Sequence, residues 1–451
     1  MERLPGFRDF YPEPLPSRDA GWSFDARQYV FDKWRETARR YGFREYDGPP
    51  LESLELFTTK SGDEIVGQLY NFTDKGDRAV ALRPEMTPTL ARMASAHERN
   101  YKKPIKWFAI PQLFRYERQQ KGRLREHFQF NADLIGETDP AADAELIALL
   151  IDTLRSFGLT EQDFIIRLSS RNAWHEFYSR RKPSAPGAPV SGSAGSAGVQ
   201  TSVCSGGTLK RELQHAGSEP GAPSAEYEFF QTIDKLERTS PEESEKKLTA
   251  LGFSLAGVNR FIESGKATVE LQSILDNLAA RGLRNFVKVD YRVVRGLAYY
   301  TGVVFEAFDA KGEFRAIAGG GRYDNLVKLV SGGRVDLPAL GFGMGDVVLL
   351  ELLKARGLLP KFDAVTDVFV LIEDEQLRPQ SLKLVQDLRA AGFAVDYPLT
   401  PAKPDKQFKR AQELKAGFTA RVESDAYVRI RNLKTREEIV AGFAGVANHL
   451  G

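Results

Sequence analysis

A strand–loop–strand pattern between residues 105 and 135 constrains the fold of this chain more than any other feature of its sequence. Residues 105–116 and 127–135 read as β-strands, and a charged loop over residues 117–126 separates them. A loop of this length connects neighbouring antiparallel strands, so the pattern predicts a hairpin. We therefore expect these two strands to pair in a sheet.

The hairpin also groups side chains that suit a polar ligand. Because alternate side chains of a strand share a face, we expect Arg115 and Glu117 on one side of the first strand. Those expected to share a face of the second strand are His127, Gln129, Asn131 and Asp133. Five cations fall within eleven residues: Arg115, Arg118, Lys121, Arg123 and Arg125. Arginine suits bidentate phosphate binding, so the hairpin would place cations that bind phosphates next to carboxylates and amides that bind a small polar ligand. The alternative interpretation is a charged hairpin exposed to solvent.

Two further segments carry candidate pocket residues. In LRPEMTPTLAR, residues 82–92, two prolines stiffen the backbone, which suits the precise placement of Glu85 and Thr87 in a pocket. A helix that begins near Pro88 with Thr87 as its cap explains the pattern equally well. In RGLAYYTGVVFEA, Arg295 and two tyrosines on a glycine-flanked strand either line a pocket or belong to a core strand. Three consecutive glycines at 319–321 predict a tight turn.

Composition divides the rest of the chain. Residues 26–41 and 227–282 are helical in pattern, and 340–353 is expected to pass from a glycine-rich strand into an apolar helix. Residues 183–225 are rich in Gly, Ser, Pro and Ala, which predicts a flexible excursion with Cys204 as an incidental thiol. Beyond a short linker, strands alternate with helices as in a small α/β domain. Its residues 403–436 contain ten Lys or Arg and four Asp or Glu, which favours either a solvated surface or a phosphate-contacting face.

Charge and cysteine content exclude several classes of protein. The 451 residues contain 63 Lys or Arg and 61 Asp or Glu, so any nucleic-acid contact needs local patches rather than overall basicity. One cysteine excludes an intramolecular disulfide and every multi-cysteine zinc site, and five histidines argue against a histidine-rich metal site. No apolar run is long enough for a membrane span and the N-terminus lacks the apolar core of a signal peptide, so we expect a cytoplasmic protein without a membrane partner.

Several motifs, in order along the chain, resemble those of the histidyl-tRNA synthetases, which are class II aminoacyl-tRNA synthetases. PGFRDFYPE begins the chain, YGFREYDGPPLESLELF is similar to motif 1, FRYER and GRLREHFQ to motif 2, and GFGMGDVVLLELL stands in the place of motif 3. LRPEMT, RGLAYYTG and GGRYDNL resemble signatures specific to the histidine enzymes. The resemblance covers nearly the whole chain apart from the low-complexity segment.

The resemblance implies an α/β (α+β) fold with an antiparallel-sheet catalytic core, a helical insertion and a C-terminal α/β anticodon-binding domain. We assign the core to residues 1–357, with the insertion at about 171–285, a linker at 358–366 and the anticodon-binding domain at 367–451. The implied enzyme is a ligase that activates histidine with ATP and Mg²⁺, releases pyrophosphate and transfers histidine to the 3′ end of tRNA(His). A homodimer with motif 1 in its interface is also implied.

Matching the motifs residue by residue implies roles for individual side chains. Those implied to act in catalysis are Arg115, Gln129 and Arg295. Those implied to bind ATP are Arg115, Glu117, Arg123 and His127. Those implied to bind histidine are Glu85, Thr87, Gln129, Asp133, Arg295, Tyr299, Tyr300 and Tyr323. Arg118 and Gln120 match positions near the tRNA acceptor end. We expect no metal ligand among the protein side chains.

Three positions depart from the family pattern. Motif 3 usually ends in Glu-Arg, with the arginine on the γ-phosphate, and Val348 stands in its place here. Ala298 replaces an aspartate, and His127 stands where an adenine-stacking phenylalanine is common. Arg123, Arg322 or another cation would then have to contact the outer phosphates. The alternative function is a non-catalytic paralogue that resembles the regulatory subunit of ATP phosphoribosyltransferase, which lacks the anticodon-binding domain.

Overall fold

The structure of the protein, a computed structural model, describes residues 2–12, 23–58, 67–117, 122, 124–180, 225–295, 299–362 and 366–450. The chain divides into two compact units, Met1–Leu359 and Pro360–Gly451. Most of the low-complexity segment, including Cys204, lies outside the described residues, as do Arg118, Gln120, Arg123 and Ala298.

Unit 1 is built on a large, mainly antiparallel sheet. The strands of the unit are β1 (Arg44–Glu45), β2 (Leu51–Ser53), β3 (Tyr70–Thr73), β4 (Ala79–Leu82), β5 (Ile105–Ala109), β6 (Gln112–Phe114), β7 (Glu126–Ile135), β8 (Phe164–Ser170), β9 (Val287–Val289), β10 (Val303–Asp309), β11 (Ala318–Arg322) and β12 (Ala339–Gly345). The large sheet has the order β1-β5-β7-β12-β11-β10-β8-β9, with β6 paired to β7, while β2, β4 and β3 form a small separate sheet. The α/β (α+β) fold class is thus confirmed.

The described part of unit 1 also contains eleven α-helices. They are α1 (Phe24–Arg40), α2 (Leu54–Thr58), α3 (Thr87–His97), α4 (Pro140–Arg155), α5 (Arg171–Arg180), α6 (Ala225–Asp234), α7 (Pro241–Ala250), α8 (Leu255–Ser264), α9 (Val269–Ala280), α10 (Leu326–Val330) and α11 (Asp346–Ala355). Helix α1 begins where the Ser23 hydroxyl accepts the Ala26 N–H at 3.1 Å, and it ends before Gly42, whose φ of +77° suits glycine. The helical predictions for 26–41 and 227–282 are confirmed.

The two faces of β7 have different neighbours. Phe128 and Phe130 point to the side covered by α1, where their rings contact Phe31 and Trp34 at centroid distances of 5.1 and 5.7 Å. The alternate side chains, starting at His127, point to the opposite face, as the alternation in the sequence predicts. One face of the sheet is therefore packed by a helix, and the other face carries the polar side chains.

The structure corrects four local predictions. The strand predicted at 105–116 is two strands, because Pro111, which has no N–H to donate, lies between β5 and β6. The glycines at 319–321 form part of the central strand β11 rather than a turn. Thr87 is the first residue of α3 rather than its cap. The strand predicted around Arg295 is irregular backbone in its described part, and Arg295 has a φ of +59°.

Unit 2 has its own sheet, with the order β14-β13-β15-β16-β17. Its strands and helices are β13 (Val368–Leu371), α12 (Arg378–Ala390), β14 (Val395–Asp396), α13 (Pro404–Glu413), β15 (Phe418–Val422), β16 (Tyr427–Asn432) and β17 (Glu438–Gly442). Leu384, Val385 and Leu388 of α12 pack against the apolar face of this sheet. The predicted alternation of strands and helices is confirmed, and β17 is an additional strand that the sequence pattern did not reveal.

Candidate active site

Glycines make room for polar side chains on the open face of the large sheet. In the antiparallel pair of β7 and β12, Asp133 lies opposite Gly341 and Gln129 lies opposite Gly345. A Cβ atom at Gly341 would lie 1.9 Å from the Asp133 Oδ1 atom, and one at Gly343 would lie 2.6 Å from the Gln129 side chain. A larger residue at either position would force the facing side chain to move. We call this surface of β7, β11 and β12 the site floor.

One end of the site floor is buried and rich in tyrosines. The tyrosine end consists of Glu85, Thr87, Asp133, Tyr299, Tyr300 and Tyr323. The Tyr323 hydroxyl donates to Asp133 Oδ1, and the Tyr299 hydroxyl donates to Glu85 Oε2 at 2.7 Å. The rings of Tyr299 and Tyr300 lie 5.1 Å apart. The structure thus brings together side chains that are far apart in the sequence.

Asp133 is a deeply buried carboxylate of the tyrosine end. Its side chain is 2% exposed, and its Oδ2 atom has no hydrogen-bond partner among the described residues. Burial raises the pKa of Asp133 to about 7, and the hydrogen bond from Tyr323 opposes that rise. Asn131, on the same face of β7, likewise has a buried Oδ1 atom without a hydrogen-bond partner among the described residues. Two buried acceptors therefore face the floor ready for a donor.

Arg295 lies over the middle of the site floor. Its Nη1 atom donates to the Glu306 carboxylate, and a Cβ atom at Gly319 would lie 2.2 Å from that nitrogen, so the glycine strand β11 makes room for the guanidinium. Burial acts to lower the pKa of Arg295, but Tyr300 and Glu306 outweigh it and raise that pKa above its ordinary value. Its φ of +59° is rare for a residue with a side chain and marks a constrained position.

The other end of the site floor carries the hairpin residues, and we call it the hairpin end. Strand β6 ends at Phe114, so Arg115 and Glu117 lie in a turn, where the Glu117 N–H donates to the Arg115 carbonyl at 2.8 Å. Their predicted placement as alternate strand residues is therefore wrong. The Arg115 Nε atom donates to the Pro84 carbonyl at 2.9 Å, which holds this arginine beside Glu85. Glu117 is buried, and His127 faces the floor near Gly345.

The outer part of the hairpin end borders the position where motif 3 departs from the family. A Cβ atom at Gly122 would lie 3.5 Å from Val348 Cγ2, so the hairpin loop passes beside the start of α11. Arg322 does not lie near this position. Its guanidinium is buried on the opposite face of the sheet and donates to Asp143 Oδ2 at 2.6 and 2.9 Å. The idea that Arg322 contacts the outer phosphates is wrong, because strand alternation directs it away from the floor.

Sequence reasoning missed two features of the site. Arg8 forms ion pairs with Glu126 and Asp346 beneath the hairpin end, and no local sequence pattern predicts these contacts. Tyr46 follows β1, and its ring lies 5.5 Å from that of Trp107, the residue opposite Asp133. Its buried hydroxyl has no partner among the described residues, and burial followed by the charge of Asp133 raises the pKa of Tyr46 well above its ordinary value. The only sequence signal for the Arg8 bridge was the aspartate at position 346, in the segment that resembles motif 3.

Two family models match the chain. The model described as "Histidyl-tRNA synthetase" matches residues 23–179 and 212–346, and the model described as "Anticodon binding domain" matches residues 367–449. A histidine–tRNA ligase of Opitutus terrae is 46% identical, with 97% of this chain and 95% of the relative covered. The chloroplastic/mitochondrial histidine–tRNA ligase of Arabidopsis thaliana is 36% identical, with 91% of this chain and 78% of the relative covered.

Solved structures show the same fold at lower identity. The histidyl-tRNA synthetase of Nostoc sp. PCC 7120 superposes with a TM-score of 0.72 at 20% identity, and the match covers 100% of this chain and 98% of that one. The apo histidyl-tRNA synthetase of S. aureus gives a TM-score of 0.66 at 23% identity and covers both chains fully. A Bacillus halodurans protein titled "ATP phosphoribosyltransferase regulatory subunit/histidyl-tRNA synthetase" gives 0.65 at 21% identity, covering 91% of this chain and 96% of that one.

Proposed function

The chain belongs to the histidyl-tRNA synthetase family and has the histidine–tRNA ligase activity of that family, and from this premise we propose which residues carry each step. The observation that carries the assignment is 46% identity to a histidine–tRNA ligase over 97% of the chain. The match of residues 367–449 to an anticodon-binding domain favours the ligase over the regulatory paralogue, which lacks that domain.

In the first step, a carboxylate oxygen of histidine attacks the α-phosphorus of ATP. The bond from that phosphorus to the bridging oxygen breaks, and pyrophosphate leaves. No covalent enzyme intermediate is needed, so the residues act by positioning the two anions and by stabilising the charge that develops on the phosphoryl oxygens. In the second step, the 3′-terminal hydroxyl of tRNA attacks the histidyl carbonyl and AMP leaves.

We assign the tyrosine end to histidine. The unpartnered Oδ2 atom of Asp133 is a buried acceptor for an imidazole N–H, and Tyr300 and Tyr323 line the same space. Glu85, Thr87 and Gln129 then face the α-amino group, while Tyr299 holds the Glu85 carboxylate through its hydroxyl. A buried site that hydrogen-bonds the substrate rejects analogues that lack those groups by roughly 10⁴–10⁵. Selection of histidine therefore needs no separate editing step.

We assign the hairpin end to ATP. The Pro84 carbonyl holds Arg115 next to the residues that we assign to substrate histidine, which suits a contact with the α-phosphate. Arg295 lies where the carboxylate of the substrate histidine and the α-phosphate would meet. Glu117 and His127 then flank the adenine. Arg123, which follows the glycine that lies beside Val348, is our candidate for the outer phosphates.

Mg²⁺ would reach the site with ATP. The described residues bring together no group of three or more His, Cys, Asp or Glu side chains for a metal ion. Magnesium commonly binds through substrate phosphates with few protein carboxylates, so ATP itself is the expected ligand. When bound, the ion neutralises phosphate charge that the arginines do not reach.

Contacts with tRNA are proposed at two places. Arg118 and Gln120 are candidates for the acceptor end. In unit 2, Arg429 and Arg421 both bond Glu423 and lower the pKa of its carboxyl to about 2, so these cations are already balanced. Helix α13 exposes Lys406, Lys409 and Arg410. Lys409 and Arg410 lie 4.0 and 3.7 Å from the same carboxylate, that of Glu413, so the helix keeps an excess of cations and is the better phosphate-contacting face. Binding through phosphates weakens steeply as the salt concentration rises.

Two coarser expectations also remain proposals. We propose a homodimer with motif 1 in its interface, which the mass in solution tests. We propose a cytoplasmic location, which cell fractionation tests. Among the described residues, no helix is long and apolar enough to cross a membrane.

Aminoacylation tests the whole proposal. Purified protein, ATP, Mg²⁺ and labelled histidine should transfer the label to a tRNA(His) transcript, and not to a transcript that carries another anticodon and acceptor end. Failure to charge tRNA(His), or equal charging of both transcripts, would contradict the assignment.

A further inference from the structure

The N-terminal segment of the chain is hydrogen-bonded to the start of β7 beneath the hairpin end. The backbone N–H groups of Arg125 and Glu126 donate to the Gly6 carbonyl at 2.9 and 3.3 Å. Gly6 has a φ of +89°, and a Cβ atom there would lie 2.7 Å from Arg125 Cγ, so only glycine fits the approach. This approach delivers Arg8 to the underside of β7.

Arg8 bridges two buried carboxylates from distant parts of the chain. Its Nε atom donates to Glu126 Oε1 at 2.6 Å, and its Nη1 atom donates to Asp346 Oδ2 at 2.8 Å. The side chains of all three residues are at most 3% exposed. Gln112 donates to the remaining Glu126 oxygen at 3.0 Å. Charges buried this deeply are costly unless paired, so the geometry of the bridge is strongly determined.

Asp346 connects the Arg8 bridge to the strands of the site floor. It is the first residue of α11 and directly follows the floor strand β12. Its Oδ1 atom accepts the Phe128 N–H at 3.0 Å. Phe128 lies between His127 and Gln129 in β7, and both of those side chains point to the floor. A continuous series of hydrogen bonds therefore joins Arg8 to the backbone that carries two proposed ligand-binding residues.

We propose that Arg8 is a positioning residue for the ATP half of the site. By holding Glu126 and Asp346 together, it fixes the start of β7 against the start of α11, and with them His127 and the segment around Val348. This inference rests on the assignment of ATP to the hairpin end. Gln129 is the one proposed histidine-binding residue next to Phe128. The others lie further along β7 or on other elements and have their own hydrogen bonds, so we expect the effect of Arg8 to fall mainly on ATP.

Arg8→Lys tests the bridge. Lysine keeps the charge but presents one ammonium group in place of a fork, so it cannot reproduce both contacts in their present geometry. A small displacement of a binding group can cost up to about 100-fold in rate. We expect the KM for ATP in histidine-dependent ATP–pyrophosphate exchange to rise about tenfold, and the KM for histidine to stay within about twofold.

Arg356→Lys is the matched control. Arg356 follows the last residue of the same helix α11, and its Nη2 atom donates to the buried Asp309 carboxylate at 2.6 Å. This substitution also weakens a buried arginine–carboxylate contact, but at the end of α11 away from β7. We expect it to lower the melting temperature as Arg8→Lys does, without changing the KM for ATP.

Asp346→Asn gives a second measurement that does not depend on Arg8→Lys folding. Its amide oxygen can still accept the Phe128 N–H, but the charge that pairs with Arg8 is lost, so we expect a smaller rise in the KM for ATP. Equal rises in both KM values for Arg8→Lys, no rise in either, or the same rise for Arg356→Lys would overturn the proposal. If the wild-type protein shows no exchange, the proposed function fails, and Arg8 is then judged by the affinity for ATP alone in equilibrium dialysis.

Discussion

The two ends of the site floor are built in different ways. At the tyrosine end, side chains bond one another, as Tyr323 does with Asp133 and Tyr299 with Glu85, and these four residues are 2–7% exposed. At the hairpin end, Arg115 and His127 are only partly buried, and backbone groups hold the hairpin residues in place. The first end is therefore buried and joined by side-chain hydrogen bonds, whereas the second is more exposed at Arg115 and His127.

This difference matches what the two proposed substrates require. Histidine must be distinguished from other amino acids, which needs buried groups that are costly to leave unpaired. ATP must enter, react and leave as pyrophosphate and later AMP, which needs fixed cations but an open path. The predictions below are changes that affect one end of the floor and spare the other.

Arg295 joins the two ends, so its loss has the largest expected effect. We expect Arg295→Ala to lower the rate of ATP–pyrophosphate exchange by about 10²–10³, since in our proposal it removes a donor to the charge that develops in the reaction. Histidine binding, measured by calorimetry, should largely survive. Arg292→Ala is the control, because Arg292 lies on the same segment but pairs with Asp290 and is 42% exposed. Normal exchange in Arg295→Ala would remove this residue from its role.

A pair of glycine substitutions separates the two ends. In Gly341→Ala the new Cβ atom would lie 1.9 Å from Asp133 Oδ1, so the carboxylate must move and we expect the KM for histidine to rise about 100-fold. In Gly345→Ala the nearest atom, His127 Cδ2, is 4.0 Å away, which is ordinary contact. We expect this second variant to leave the KM for histidine unchanged. Equal effects of the two substitutions would mean that the floor is equally crowded along its length.

Tyr323→Phe removes one hydroxyl from the tyrosine end. The Asp133 carboxylate loses its donor, and the net value of one such hydrogen bond is about 1 kcal/mol, so we expect a rise of about fivefold in the KM for histidine. The KM for ATP should not change. Tyr291→Phe is the control, because its hydroxyl bonds the Lys266 carbonyl at 2.8 Å, outside the floor. A larger effect on ATP than on histidine would contradict the assignment of the two ends.

The smallest expected effect is on stability as a function of pH. Burial raises the pKa of Asp133 to about 7, so the folded protein binds this proton more tightly than the unfolded chain does. The cost of ionising Asp133 in the fold therefore grows as pH rises from about 4 to 7 and is constant above that. We compare the melting temperatures of Asp133→Asn and the wild type without ligand. We expect the difference, variant minus wild type, to be roughly 2 °C larger at pH 8 than at pH 5.5.

Asp163 provides a control of opposite sign. Despite the opposing effect of burial, hydrogen bonds from the Thr160 backbone and hydroxyl lower the pKa of Asp163, so its ionised form stabilises the fold. Relative to the wild type, Asp163→Asn should lose stability as the pH rises through the range below the ordinary aspartate pKa of about 4, and show a constant deficit above it. A difference between Asp133→Asn and the wild type that does not vary with pH would show that Asp133 is not perturbed.

The sequence was sufficient wherever the signal is local or periodic. The alternation in β7 correctly placed His127, Gln129, Asn131 and Asp133 on one face, and the passage from β12 into α11 was predicted because strand and helix patterns meet there. The placement of Arg118, Gln120 and Arg123, and the domain limits assigned to residues 1–357 and 367–451, stay predictions.

Non-local contacts decided the remaining features. The glycines at 319–321 indicate a turn when considered alone, but they lie in a crowded strand where a Cβ atom would meet Arg295 at position 319, Phe342 at 320 and Tyr300 at 321. The backbone at Arg295 leaves the extended region while its guanidinium bonds Glu306 across the floor. Arg8 and Asp346 are 338 residues apart, and only the folded chain shows that one compensates the charge of the other.

Histidine-dependent ATP–pyrophosphate exchange tests the central claim most directly, because it requires both ends of the floor at once and does not depend on tRNA. The purified protein with Mg²⁺ and saturating histidine should exchange labelled pyrophosphate into ATP, and each other amino acid tested in place of histidine should leave the rate at background. No exchange with histidine, or comparable exchange with another amino acid, would contradict the account.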